Sequence, residues 1–163
     1  MNKALYLQHG GIMANYRCTA ACRHCLYSCS PDRTDGYITE KTANEVCKLL
    51  KRSGCYSVHI GGGEPFIDID GLIKLIKCIN KSGIRVEYIE TNAYWATNED
   101  RVKEYLEALR EAGANTLCFR IRHWLSENIQ SPDLDREYYI ESLKFYEETY
   151  YITVILVVIL LII

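Results

Sequence analysis

The sequence predicts an α/β domain on a parallel sheet, and three observations carry that reading. Candidate strands begin at Ser57, Arg85 and Thr116, 28 and 31 residues apart. The intervals between them hold apolar residues at helical spacing. Each helical stretch runs out at a glycine: Gly54, Gly83 and Gly113. Parallel neighbours need a crossover long enough for a helix, and this interval supplies one. Such crossovers are right-handed.

The elements follow in order. Ile12 to Tyr16 is a short, mostly apolar run that reads as a first strand. Arg17 to about Tyr37 is irregular, with four cysteines and the turn formers Pro31, Asp32, Asp35 and Gly36. A loop of that length inside a compact domain usually has a function. Thr39 is placed to cap a helix running to Arg52, with Ala43, Val46, Cys47 and Leu50 on one face. Ser57 to Ile60 is a strand that runs into Gly61-Gly62-Gly63-Glu64-Pro65. A second helix spans Asp70 to Lys81, with Leu72, Ile73, Ile76 and Ile79 inward. Arg85 to Glu90 is the next strand, followed by Thr91-Asn92. Thr97 or Asn98 caps a third helix to Ala112, with Val102, Tyr105, Leu106 and Leu109 inward. Thr116 to Ile121 is a fourth strand.

Beyond Ile121 the character changes. Residues 125–163 hold seven acids, two bases and five of the thirteen tyrosines. A helix over Asp133–Tyr151 would align Tyr139, Leu143, Tyr146 and Tyr150. The run from Ile152 to Ile163 is wholly apolar apart from Thr153 and is shorter than the roughly 20 residues a membrane helix needs. Its β-branched content suits a buried strand, with a membrane-associated end or an out-of-frame end as the other readings. The expected division is therefore 1–121 as the strand–helix core and 122–163 as a divergent segment.

With 163 residues, 48% apolar, one packed domain is expected. A net charge of −2 gives no reason to expect a nucleic-acid or anionic-membrane partner. No secretory signal precedes the first strand, so disulfides are not the expected use of eight cysteines, and metal ligation suits the clustered ones. Cys47, Cys55, Cys78 and Cys118 are scattered singly and read as small buried apolar residues.

Cys18-Thr-Ala-Ala-Cys22-Arg-His-Cys25 brings three thiols within eight residues. Thiolates are the usual ligands of iron–sulfur clusters, and three of them on a four-iron cube leave one iron open. An open position is what a catalytic metal needs. Zinc is the rival. It wants four ligands and could recruit Cys29 or His24, but a second, separated cysteine pair is missing. A closed four-cysteine cluster that includes Cys29 would make an electron carrier. Otherwise Cys29 is a spare loop thiol or a residue backing the cluster.

The C-x3-C-x2-C spacing after a first strand resembles the radical S-adenosylmethionine (SAM) superfamily. Gly62-Gly63-Glu64-Pro65 looks like that family's GGE motif at the tip of the second strand. Thr91-Asn92 resembles the pair it often places after the third. The resemblance implies a partial parallel β/α barrel, with a [4Fe–4S] cluster on Cys18, Cys22 and Cys25. It implies that S-adenosyl-L-methionine chelates the open iron through its methionine part. It places Gly62, Gly63 and Glu64 beside that methionine, and Thr91 and Asn92 facing the cofactor. The implied reaction is reductive cleavage to a 5′-deoxyadenosyl radical that takes hydrogen from a substrate. The substrate stays open between a peptide, a protein and a small metabolite. A reductant such as flavodoxin or ferredoxin and an oxygen-poor cytoplasm are implied too. The rival class is a non-catalytic iron–sulfur or zinc-binding module.

The match departs from the family in three places. The residue before the last cysteine is often aromatic, and here it is His24. At the fourth strand relatives commonly carry a serine or aspartate near the ribose, and here Arg120, Arg122 and His123 stand instead. His59 can reach the cavity or be a satisfied core histidine, and His9 gives no signal. Six strand–helix units are expected in the family core. Three and a further strand are legible here, over Ile12 to Ile121, so a truncated or frame-shifted reading frame is an expectation.

Overall fold

The computed structural model describes residues 7–22, 25–119 and 153–156. Five strands form one parallel sheet: β1 (His9–Met13), β2 (Ser57–Gly61), β3 (Arg85–Thr91), β4 (Thr116–Phe119) and β5 (Thr153–Leu156). Their order is sequential, β1-β2-β3-β4-β5. Helices α1 (Glu40–Arg52), α2 (Ile69–Lys81) and α3 (Glu99–Ala112) occupy the first three crossovers. Crossovers of one hand between successive neighbours put every helix on the same face, and α1 accordingly packs beside α2, and α2 beside α3. A doubly wound sheet would reverse its strand order partway. One layer of helices outside a sequentially ordered sheet is instead a segment of a β/α barrel wall.

Strand alternation, slipped by one residue in β3 between Val86 and Tyr88, sorts the side chains between the two faces. Ile12, Val58, Ile60, Val86, Ile89 and Leu117 face the helices and join Leu72, Ile76, Ile79, Leu106 and Leu109 in one buried core. The other face carries Gly11 and His59, whose ring stacks on Tyr88 with centroids 5.2 Å apart. His59 thus sits on the helix-free face.

The sequence places α1 and its Thr39 cap correctly, and Asn98 is the true cap of α3, accepting from Arg101 N at 2.9 Å. Two starts differ. β1 begins at His9, before the expected Ile12. The Gly10-Gly11 pair looks like a turn, but a Cβ at Gly10 would meet Leu50 at 3.2 Å and one at Gly11 the His59 ring at 2.6 Å. These glycines allow close packing inside a strand. α2 begins one residue early because Asp68 caps it, accepting from Gly71 N at 2.9 Å. Replacing Asp68 with Ala should cost about 1 kcal/mol in denaturant unfolding, since the side chain is exposed and loses only this bond.

Of the apolar run Ile152–Ile163, residues 153–156 form β5 against β4. The rest of that run, and the helix expected over Asp133–Tyr151, lie outside the described residues. No helix among the described residues is long and apolar enough to cross a membrane.

Candidate functional site

Parallel strands end on one edge, so the segments after β1, β2 and β3 meet there. The first is the cysteine loop. It opens by continuing along β2: Ala14 N donates to Gly61 O at 2.9 Å, and Asn15 O accepts from Gly63 N at 2.9 Å. Arg17 and Ser30 form a bridge, with Cys18 N donating to Ser30 O at 3.1 Å, which closes the loop on itself. Inside it the chain turns tightly. Cys25 N donates to Cys22 O at 3.1 Å and Ser28 N to Cys25 O at 3.2 Å. Cys29 N points at Cys25 Sγ, 3.4 Å away. Arg23 and His24 lie outside the described residues, as do Arg120, Arg122 and His123.

All eight cysteines are thiols, none in a disulfide. Burial pushes the Cys18 thiol up to about 11, with Glu64, Cys22 and Cys25 adding negative potential against a hydrogen bond from the Ala20 backbone. Burial likewise pushes Cys29 up to about 12, helped by Cys25. Thiols of this kind stay protonated until a metal displaces the proton. Among the described residues no three His, Cys, Asp or Glu side chains converge on a point that a single ion would occupy. A cubane cluster is wider than one ion and takes its thiolates at separate corners, so the lack of a single-ion point among the described residues does not count against one.

The second segment is the glycine loop after β2. Gly62 has φ +126°, and a Cβ there would stand 2.5 Å from Asn15 O. A Cβ at Gly63 would collide with the Arg17 carbonyl. Glu64 N donates to Arg17 O at 2.9 Å, so backbone lies directly on backbone. Only glycine permits that approach.

Glu64 is fully buried. Its carboxylate accepts from Phe66 N (3.1 Å), Thr91 Oγ1 (2.8 Å) and Asn92 N (2.7 Å). The side chain is therefore committed to the end of β3. Burial raises its carboxyl from 4.5 to about 7, opposed by those three donors. Between these values the folded chain holds a proton that the unfolded chain has released, so stability should fall as pH rises from 4.5 to about 7 and then level off. Urea unfolding of the cluster-free chain at several pH values should show this slope, and Glu64→Gln should remove it.

The third segment is the β3 tip. Thr91 Oγ1 also accepts from Ala93 N and Trp95 Nε1, both at 3.0 Å. Asn92 Nδ2 donates to Thr19 Oγ1 at 2.9 Å and lies 3.7 Å from Cys18 Sγ, and Asn92 Oδ1 accepts from Tyr94 N at 3.1 Å. Ala93 takes φ +60°, a left-handed conformation held by its bond to Thr91. Phe66, Trp95 and Tyr105 stack beneath, and Tyr37 and Tyr94 donate to the carbonyls of Pro65 and Phe66 at 3.2 and 3.1 Å.

Cys18, Gly62, Gly63, Glu64, Thr91 and Asn92 are thus drawn to one edge by a continuous set of hydrogen bonds. His9 is not among them. It contacts Ser57, Tyr56 and Glu87 at the opposite end of the sheet. Asn15 and Trp95 join the site without belonging to any motif in the sequence, and Thr19 joins it from an unspecified position inside the cysteine motif. Only Asn15 could have been found in advance, as the next residue after Gly11 and Met13 on the helix-free face.

Residues 13–161 match the radical SAM superfamily. The chain is 29% identical over 130 residues to the putative peptide biosynthesis protein YydG of Bacillus subtilis, covering 80% of this chain and 40% of that protein. Over 55 residues it is 38% identical to mycofactocin maturase MftC of Mycobacterium tuberculosis, 34% of this chain and 14% of the relative. The fold is similar to HydG, a maturase of the [FeFe]-hydrogenase, with a TM-score of 0.67 at 19% identity over 91% of this chain and 34% of that one. It is similar also to anSMEcpe with bound AdoMet, with a TM-score of 0.61 at 17% identity over 91% of this chain and 42% of that one. The chain thus spans about 40% of the length of the first of these curated relatives. On the match across nearly its whole length, the chain belongs to the radical SAM superfamily.

Proposed function

We propose that Cys18, Cys22 and Cys25 hold a [4Fe–4S] cluster whose open iron takes S-adenosyl-L-methionine, and that the protein uses the pair to abstract hydrogen from a substrate. The observation that carries this reading is the convergence of the cysteine loop, Gly62-Gly63-Glu64 and Thr91-Asn92, with Asn92 reaching Cys18 and Thr19. Bound there, cluster and cosubstrate supply reductive carbon–sulfur cleavage. The chain's own part is positional. Gly62 and Gly63 present bare backbone to the methionine part, Glu64 and Thr91 fix the two strand tips in register, and Asn92 steadies the first cysteine. The likeness to a peptide biosynthesis protein, YydG, and to a maturase, MftC, favours a peptide or protein substrate, and the reaction calls for an electron donor of the flavodoxin or ferredoxin class in an oxygen-poor cytoplasm.

The test is anaerobic reconstitution with ferrous salt and sulfide. Expected results are four irons per chain, a cubane signal in electron paramagnetic resonance, and 5′-deoxyadenosine formed from S-adenosylmethionine under a strong reductant. Protein that takes up one zinc and forms no deoxyadenosine would support a binding module instead.

A further inference from the structure

Asn15 is buried to 4% exposure at the point where β1 gives way to the cysteine loop. Its neighbours define which way it faces. Gly10 looks towards Leu50, Cys55 and Val58, while Ile12 and Ala14 lie in the core under the helices. Gly11 looks towards the His59 ring on the other face. By alternation Asn15 follows Gly11 and Met13 onto the helix-free face, at the edge where the cysteine loop and glycine loop meet.

Its amide is half used. Nδ2 donates to Glu64 O at 3.1 Å, and because a carbonyl only accepts, this bond fixes which end of the amide is oxygen. Oδ1 is buried and has no hydrogen-bond partner among the described residues. Two backbone donors of the adjoining glycine loop are already committed: Gly63 N to Asn15 O, and Glu64 N to Arg17 O. A buried acceptor left open is unfavourable, and native proteins rarely keep one without a purpose. The surroundings select the missing donor. Asn15 stands three residues before Cys18 and is bonded to Glu64, so on the cofactor reading a metal-bound thiolate and a carboxyl group lie on the same edge as Oδ1. A cationic N–H is favoured over a neutral one.

We propose that Asn15 Oδ1 accepts an N–H from the ammonium of S-adenosylmethionine's methionine part. The assignment rests on the cofactor reading above and adds to it a side chain that no sequence motif marks. It makes Asn15 a bifunctional residue, whose Nδ2 holds the glycine loop while its Oδ1 holds the ligand.

The two ends of the amide can be separated by substitution. Asn15→Ala removes both donor and acceptor; Asn15→Asp keeps acceptor oxygen and loses the donor to Glu64 O. Equilibrium dialysis of reconstituted protein would compare S-adenosylmethionine with 5′-methylthioadenosine, which lacks the amino-acid part. Asn15→Ala should weaken S-adenosylmethionine about tenfold and leave methylthioadenosine within about twofold, while Asn15→Asp should keep S-adenosylmethionine within about threefold of the parent. Equal losses in Ala and Asp would overturn the proposal, since they would trace the effect to the Glu64 contact. Parallel losses for both ligands, or no loss at all, would overturn it too, the last result pointing to a buried water on Oδ1. If the Ala protein does not fold, the folded Asp protein decides alone: a tenfold loss overturns the assignment. Iron content and the resonance spectrum of the same samples report separately on the cluster. A cubane with flat Asn15 results removes only this inference, and a parent protein with neither cubane nor S-adenosylmethionine binding removes both.

Discussion

Alanine at any one of Cys18, Cys22 and Cys25 is expected to take reconstituted iron from four per chain to below about one, and to abolish deoxyadenosine formation. A cube with one iron already open cannot lose a further protein ligand and stay anchored. The three positions should also differ in what they do to the empty chain. Cys18 is buried, near Asn92, and its backbone is bonded to Ser30. Cys22 and Cys25 are half-exposed. Cys18→Ala should therefore lower the unfolding midpoint of the cluster-free protein slightly, while the other two leave it unchanged. Cys47→Ala is the contrasting control. Cys47 is buried between α1 and α2, so its loss should cost stability and leave the iron count intact. If Cys29→Ala abolished iron uptake as fully as Cys18→Ala, the three-ligand assignment would fail in favour of a closed four-cysteine centre.

Gly63→Ala should be the most damaging single-methyl addition in the chain, at about 3 kcal/mol or more of folding free energy. The added Cβ would land on the Arg17 carbonyl, a backbone atom that no side-chain rotation can move. Nor can the two strands part, because the bonds from Gly63 N to Asn15 O and from Glu64 N to Arg17 O hold them at 2.9 Å. Gly36→Ala is the matched comparison: nothing lies within 4 Å of its Cβ, so the change should stay within about 0.5 kcal/mol. Denaturant unfolding of the two variants side by side checks the difference. A Gly63→Ala protein as stable as the Gly36→Ala protein would mean the glycine loop is not pinned to the cysteine loop at all.

The parallel sheet was legible because its signals are local and repeated. Apolar stripes mark α1, α2 and α3, and Thr39, Asn98 and Gly113 mark their ends, Gly113 in the left-handed conformation at φ +95°. The start of β1 was not legible, since Gly10-Gly11 signals a turn to any reading of neighbours. Only the side chains of Leu50 and His59, far along the chain, show that the pair serves packing. The candidate site divides the same way. The cysteines, glycines and Thr91-Asn92 announce themselves by spacing. Glu64 was expected beside the methionine part, but its carboxylate turns inward to Thr91, Asn92 and Phe66, a commitment that depends on contacts 27 and 28 residues away. Asn15 and Trp95 lie in no motif, and their place depends on which face of a strand or turn they occupy.

The bonds between Asn92 and the cysteine loop bear on the order of assembly. Thr19 and Asn92 are 73 residues apart, and Cys18 and Asn92 are 74 apart. During synthesis from the amino terminus the thiols emerge long before the side chains that steady them. The receiving loop has no floor until β2 has paired and β3 has docked on Glu64. If the thiols take up a cluster as proposed, loading is expected to follow the docking of β3, when Asn92 reaches Cys18 and Thr19, and not the appearance of the cysteines.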